Sequence, residues 1–330
     1  MRSIQVDRFG GPQELKLREA PRPQPGPGEA LVRIARAGVN YIDVYMRNGS
    51  YARSHTYETP LPLTIGMEGG GTIVELGPGV SDLRIGETVA YCLSRGSYAE
   101  YAAVPAWKLV RVPAGVDVAV ATALMLQGAT AHYLSHSAFA LRRGNTCLVH
   151  AGAGGVGQLL IQLAKRAGAT VTATVGSEEK AALARLRGAD HVILYRSVDF
   201  GEEVKRLTQG EGVDVVYDSV GRDTLPRSIR SLKRRGLCVS FGASSGQPEP
   251  VALLELAEAG SVFLTRPHLA DYISTAQEIR ERAADLFAAY GSGALEVAID
   301  AEYPLAEAAA AHAAIEGRAT RGKILLNVAC

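Results

Sequence analysis

The sequence predicts an α/β protein of two domains, with a doubly wound parallel sheet inserted into a mostly antiparallel β domain. Three observations predict it. Between Thr146 and Thr265, short β-rich runs alternate with longer helical ones. Those β-rich runs are continuously apolar, as strands are when helices cover both faces. Before residue 123 the runs are separated instead by Gly and Pro turns, including "PRPQPGPGE", a pattern of hairpins and meanders.

In order along the chain, "ALVRIARAG", "GTIVELG", "ETVAYC" and "SYAEYAAV" read as strands of the first domain. "MLQGATAHYLSHSAF" then reads as a helix leading into the sheet domain. Six strands follow: "TCLVH", "TVTATV", "HVIL", "VDVVYDSV", "GLCVSFG" and "SVFLT". Helical runs such as "VGQLLIQLAKRAG" and "EEKAALARLRGA" cross between them, which implies the strand order 3-2-1-4-5-6. After Arg266 a helical tail and a last strand, "KILLNV", return to the first domain. The expected division is 1–123 with 267–330 for the β domain, and 124–266 for the sheet domain.

Bulk properties exclude several classes. The 330 residues are 47% apolar and 21% charged, the composition of an ordinary globular chain with a large core. A net charge of +1 offers no field to gather nucleic acid or an anionic membrane. No apolar run approaches the roughly 20 residues of a membrane helix, and the start lacks the apolar segment of a secretory signal. Cys92, Cys147, Cys238 and Cys330 are scattered without a CxxC pair, so neither a disulfide framework nor a structural zinc is expected, and the cytoplasm is the expected compartment.

The stretch "HAGAGGVGQ" carries the chemistry. Gly152, Gly154 and Gly157 make G-x-G-x-x-G between a strand and an amphipathic helix, the context that distinguishes a dinucleotide turn from a flexible loop. Gly152 permits the tight turn, Gly154 lets a pyrophosphate approach the backbone, and Gly157 lets helix and strand pack. At the end of the second strand, where an NAD enzyme places an acid for the ribose, this chain has Val175 and Gly176. Ser177, Lys180 and Tyr195 can instead contact a 2′-phosphate, so NADPH is the expected cofactor. Glu178 and Glu179 stand beside them and would repel a phosphate if turned inward.

"AGVNYIDVYMRNG" and "LTIGMEGGGTIVELGPGV" resemble the medium-chain dehydrogenase/reductase superfamily. Its zinc alcohol dehydrogenases carry Cys where Asn40 stands and His where Met67 stands. With both ligands replaced no catalytic zinc is expected. "HAGAGGVG", "TVGSEEKA", "VVYDSVGRDTL", "RRGLCVSFGASSG" and "TRPHLADY" narrow the resemblance, nearly end to end, to the zinc-free, zeta-crystallin-like quinone oxidoreductases. That resemblance implies a GroES-like catalytic domain, a Rossmann domain, NADPH and a homodimer. It places Gly155 and Val156 at the pyrophosphate and Lys180 and Tyr195 at the adenosine phosphate. Ser219, Val220, Phe241 and Gly242 would lie along the cofactor. Thr130, Tyr133 and Asn40 would lie near the nicotinamide, with Arg318 as a contact from the tail.

A quinone suits a site without zinc, because the acceptor is electron-poor and the product gains aromaticity. Positioning and a few neutral donors then suffice. The candidate donors are the Asn40 amide and the hydroxyls of Tyr45 and Tyr51, with Asp43 either orienting them or capping a helix. No Ser-His-Asp arrangement is evident, and His132 with His136 reads as one helix face rather than a ligand pair. The competing activity is NADPH-dependent reduction of an enone, enal or enoyl thioester. The competing class is a non-catalytic NADPH- or RNA-binding protein, against which the absence of any RNA-binding platform argues. A dimer would form through the sheet-edge strand "SVFLT".

Overall fold

The computed structural model describes residues 1–329, so Cys330 lies outside it. The chain divides into two units, residues 1–129 with 273–330, and residues 130–272. Both borders fall a few residues beyond the expected 123/124 and 266/267.

The second unit is a six-stranded parallel sheet. In chain order its strands are Thr146–Val149, Thr170–Val175, His191–Leu194, Val213–Asp218, Leu232–Ser240 and Phe263–Thr265. Their spatial order is 3-2-1-4-5-6, as the crossover pattern predicts. The first and fourth strands are therefore neighbours, and the chain winds away from them in opposite directions; ligands bind at such a switch point. Leu148, Ile193, Phe200, Val216, Ile229 and Cys238 join in one buried cluster. Each large apolar side chain so buried contributes about 1.5–3 kcal/mol.

The crossover helices start where the sequence supplies caps. Asp199 accepts N–H bonds from Gly201 and Glu202 at 2.8 and 3.1 Å, starting the helix Phe200–Leu207. Ser177 does the same for Glu178–Leu186 through the N–H of Lys180. Gly154 precedes the helix Gly155–Arg166, which buries Leu159, Leu160, Ile161 and Leu163. Among the described residues the last strand pairs only with the fifth, so Phe263–Thr265 is an edge.

The first unit is mostly antiparallel. Its long strand Glu29–Val39 pairs with Glu68–Leu76, with Tyr101–Pro105 and with the late strand Lys323–Asn327, all antiparallel. The tail thus returns to the first unit. One pairing departs from the antiparallel pattern, since Ile299–Pro304 runs parallel to Lys323–Asn327. A single helix over "MLQGATAHYLSHSAF" is also not what forms: the α-helical segments Val118–Ala123 and Ala129–Tyr133 alternate with π-helical turns at Leu124–Gly128 and Leu134–Ala138. Such turns free backbone groups for other partners. No helix among the described residues is long and apolar enough to cross a membrane.

Candidate functional site

The glycine turn begins just after the first strand of the parallel sheet. Ala151 there has φ 52°, a left-handed conformation that costs an L-residue about 1–2 kcal/mol. Its carbonyl accepts the N–H of Gly154 at 2.8 Å and closes the turn. A Cβ on Gly157 would lie 2.3 Å from the Ala151 oxygen and 2.9 Å from the Gly152 Cα, so helix and turn touch backbone to backbone. A Cβ on Gly154 would meet only the Ala151 oxygen, at 3.2 Å. Gly155 and Val156 are half-buried in the first turn of the helix, whose leading N–H groups have no partner within it. Free N–H groups at the positive end of a helix fit a pyrophosphate.

At the end of the second strand, a Cβ on Gly176 would stand 2.8 Å from the Tyr195 hydroxyl and 3.4 Å from Arg196 Nε. Gly176, Tyr195 and Arg196 thus converge where an NAD enzyme would carry its acid. Ser177 accepts the Lys180 N–H through its oxygen, which leaves its own hydroxyl hydrogen to donate. Glu178 is exposed and lies 3.9 Å from Arg185. Sequence reading missed Arg196; its position directly after Tyr195 was the available signal.

Beyond the fourth and fifth strands, two loops zip together. Ser244 and Ser245 donate their N–H groups to the carbonyls of Ser219 and Val220 at 3.2 and 2.9 Å, and Gly242 donates to Asp218. Ser219, Val220, Phe241 and Gly242 are all half-buried there. Thr130 and Tyr133 are buried, and the Tyr133 ring stacks on Tyr272 at 4.2 Å. His132 and His136 stack at 4.1 Å on one helix face. A Ser-His-Asp trio does form in this unit, from His150, Ser228 and Asp218. Ser228 gives its hydroxyl hydrogen to Asp218 at 2.7 Å, so His150 cannot take it and no nucleophile results.

The first unit holds a buried polar knot. Asn40 Nδ2 donates to Glu68 at 2.8 Å and to the Gly38 carbonyl at 3.3 Å. Its Oδ1 accepts from Lys323 at 2.7 Å and from Gln127 at 3.3 Å. Both amide hydrogens are thus already donated within the protein. Lys323, 1% exposed, also pairs directly with fully buried Glu68. The other Glu68 oxygen accepts the N–H of Leu126 at 2.5 Å, within the first π-helical turn. This donor set does not fit a divalent metal, because the ammonium of Lys323 already sits on both the carboxylate and the amide oxygen.

Beside the knot, Asp43 accepts the Asn40 N–H at 2.9 Å and the Tyr98 hydroxyl at 3.3 Å. It therefore caps the helix Tyr41–Asn48, one of its two expected roles. Tyr98 also meets His312 Nε2 at 3.1 Å, and Arg47 meets His312 Nδ1 at 3.0 Å. Arginine only donates, so Nδ1 accepts and the imidazole is neutral. Burial, reinforced by Arg47, lowers the His312 pKa to about 3, and burial raises that of Asp43 to about 7.

Those shifts have opposite consequences for stability. Between pH 3 and 6.5 the folded state excludes a proton that unfolded His312 binds, so that contribution falls as the pH falls. Between pH 3.8 and 7 the folded state keeps a proton that unfolded Asp43 releases, so that contribution falls as the pH rises. We predict that His312→Asn gains stability relative to wild type by up to about 1.4 kcal/mol per pH unit below 6.5. Asp43→Asn gains on the opposite side, as the pH rises from 4 to 7. Urea unfolding at a series of pH values reads both, and parallel curves for all three proteins would contradict the assignment.

The same helix starts a row of tyrosines. Ring centroids are 5.9 Å apart for Tyr41 and Tyr45, 5.3 Å for Tyr45 and Tyr51, and 5.3 Å for Tyr51 and Tyr57. Arg318 is exposed at the end of the helix Ala308–Glu316, with φ 55°.

Family models match both units. Residues 26–114 match the alcohol dehydrogenase GroES-like domain, and residues 155–289 match a zinc-binding dehydrogenase domain. The chain is 41% identical over 325 residues to a 2-haloacrylate reductase of Burkholderia sp, with 97% of each chain covered. It is 40% identical to quinone oxidoreductase 1 of Escherichia coli, with 98% of each covered. The crystal structure of Escherichia coli quinone oxidoreductase complexed with NADPH superimposes with a TM-score of 0.95 at 38% identity, covering 99% of this chain and 100% of that one. The protein is an oxidoreductase, and the chain belongs to the medium-chain dehydrogenase/reductase family, among relatives of the quinone-oxidoreductase type.

Proposed function

We propose that the protein transfers reducing equivalents from NADPH to a quinone without a metal. The observation that carries this reading is the tyrosine row on a unit where Asn40 and Met67 stand at the zinc-ligand positions and Asn40 is tied to Glu68 and Lys323. Tyrosines packed edge-to-face and then stacked make an aromatic wall that suits a planar ring, and phenol hydroxyls suit an oxyanion that develops on it. When bound, the reduced nicotinamide supplies the hydride. The glycine turn, with Gly152, Gly154, Gly155, Val156 and Gly157, holds the pyrophosphate. Ser177, Lys180, Tyr195 and Arg196 hold the 2′-phosphate, and Gly176 makes room for it. Ser219, Val220, Phe241, Gly242, Thr130, Tyr133 and Arg318 serve as further cofactor contacts. Tyr45 and Tyr51 donate to the oxyanion. Asn40, with both amide hydrogens committed, holds the start of the Tyr41–Asn48 helix together with Asp43.

Lys180→Ala tests the cofactor assignment. Loss of one charge-assisted bond, about 1.5–3 kcal/mol, weakens NADPH roughly ten- to a hundredfold. NADH, without the phosphate, is expected to bind the variant nearly as well as wild type. Equal losses for both cofactors would remove the 2′-phosphate role.

One observation favours a second reading, reduction of an activated alkene. The 2-haloacrylate reductase relative is as similar as the quinone oxidoreductases. Its acceptor receives the hydride at carbon and leaves an enolate, which the same hydroxyls would stabilise. The exposed edge residue Phe263 supports a homodimer formed through the last strand, which light scattering reads directly. The buried free thiols of Cys92, Cys147 and Cys238 suit a reducing, cytoplasmic setting.

A further inference from the structure

Four buried polar side chains in the sheet unit form one directed chain of hydrogen bonds. His150 is 2% exposed, Thr174 2%, Ser228 0% and Asp218 0%. His150 Nε2 lies 3.0 Å from Ser228 Oγ, and His150 Nδ1 lies 2.8 Å from Thr174 Oγ1. Since the Ser228 hydrogen goes to Asp218, Ser228 must accept from Nε2–H. The neutral ring then accepts the Thr174 hydroxyl hydrogen at Nδ1. Burial lowers the His150 pKa and favours this neutral form. The chain therefore runs Thr174 to His150 to Ser228 to Asp218, with every hydrogen assigned.

Three of its members, His150, Thr174 and Asp218, lie where the cofactor reading needs rigidity. His150 immediately precedes Ala151, the residue held in the left-handed conformation at the start of the glycine turn. Thr174 stands two residues before Gly176. The other oxygen of Asp218, Oδ1, accepts the N–H groups of Val220 and Gly221 at 2.8 and 3.0 Å and the Thr224 hydroxyl at 2.9 Å. That loop is in turn zipped to Ala243–Gly246: Arg222 N–H donates to Gly246, and the Ser245 hydroxyl donates to Val220 at 2.7 Å. The chain thus links the C-terminal ends of the first, second and fourth strands across the switch point of the sheet. An apolar core could fill the same volume without this wiring. A fully satisfied buried network adds a fixed geometry.

We propose that His150 and Ser228 are positioning residues for the dinucleotide, acting through Asp218 on the Ser219–Gly221 loop and through the start of the glycine turn. The inference rests on the NADPH reading above. Ser228→Ala leaves His150 Nε2–H and Asp218 Oδ2 each without a partner while changing the volume little. His150→Phe keeps the ring and removes both bonds. His150→Gln can keep one donor and one acceptor.

The test is NADPH binding, followed by quenching of the single Trp107 or by calorimetry, together with hydrogen exchange of the segment 218–224. Loss of one hydrogen bond to the charged dinucleotide weakens binding roughly ten- to a hundredfold, so Ser228→Ala and His150→Phe are expected to weaken NADPH about tenfold or more. His150→Gln is expected to restore part of the loss. Exchange should accelerate at Val220 and Gly221 while the ladder between the fourth and fifth strands stays protected. Wild-type affinity in both variants would overturn the proposal. Weakening matched by faster exchange throughout the sheet would overturn it too, since that marks general destabilisation. If the wild type itself does not bind NADPH, the cofactor reading fails. The exchange at 218–224 then decides by itself whether the chain holds the loop.

Discussion

Lys323→Met is expected to destabilise the first unit by about 3–5 kcal/mol, the cost of leaving a buried carboxylate without its counter-charge. Glu68 is fully buried, and the ammonium of Lys323 is its cationic partner in the knot. Without that ammonium the Asn40 amide and the Leu126 N–H remain as donors, and neither carries a charge. Asn40 also loses its 2.7 Å bond from Lys323, so the start of the tyrosine helix loosens with it. The double variant Lys323→Met with Glu68→Gln removes both charges and is expected to recover much of the loss, because a neutral pair is far cheaper to bury than a lone charge. Chemical denaturation of the two single variants and the double gives the coupling. A single Lys323→Met within about 1 kcal/mol of wild type, against the ~3–5 kcal/mol expected, would show the pair to be dispensable.

The second large effect separates two glycines of one turn, Gly154 and Gly157, whose sequence-predicted tasks differ. Gly157→Ala places a methyl 2.3 Å from the Ala151 oxygen and 2.9 Å from the Gly152 Cα, and backbone atoms cannot swing aside. Helix and turn must part, so both stability and NADPH affinity fall, the latter by roughly a hundredfold through lost charge-assisted bonds to the pyrophosphate. Gly154→Ala meets only one oxygen, at 3.2 Å, and its φ of −77° is open to any residue. The folded protein is expected to tolerate it, with a melting temperature near wild type. NADPH binding is expected to fail all the same, because the new methyl stands where the pyrophosphate approaches. Retained NADPH affinity in Gly154→Ala would remove the turn from the cofactor site.

How much was legible follows from the range of each interaction. The parallel sheet could be read because its strands are apolar runs and its helices carry local caps such as Ser177 and Asp199. The glycine turn is likewise local, seven residues with a strand before and a helix after. The polar knot was not legible, since Lys323 and Glu68 are 255 residues apart and Lys323 opens an otherwise apolar strand. Nothing in "GKILLN" signals that its lysine is buried. His150, Thr174, Ser228 and Asp218 come from four separate elements, so no spacing reveals them. The first π-helical turn was invisible for a related reason: a distant carboxylate, Glu68, bonds the Leu126 N–H. Asn40 was read as a donor from its position beside the tyrosines. Its partners, Glu68, Gly38, Lys323 and Gln127, emerge only when the strands assemble.

Turnover of the acceptor tests the central claim most directly. NADPH oxidation would be followed by stopped flow with 1,4-benzoquinone and 1,2-naphthoquinone, and in parallel with an enone and a 2-haloacrylate, with NADH as the cofactor control. The account predicts rapid, NADPH-selective turnover with the quinones and little with the alkenes. Turnover of the alkenes alone, or equal use of NADH, would contradict it.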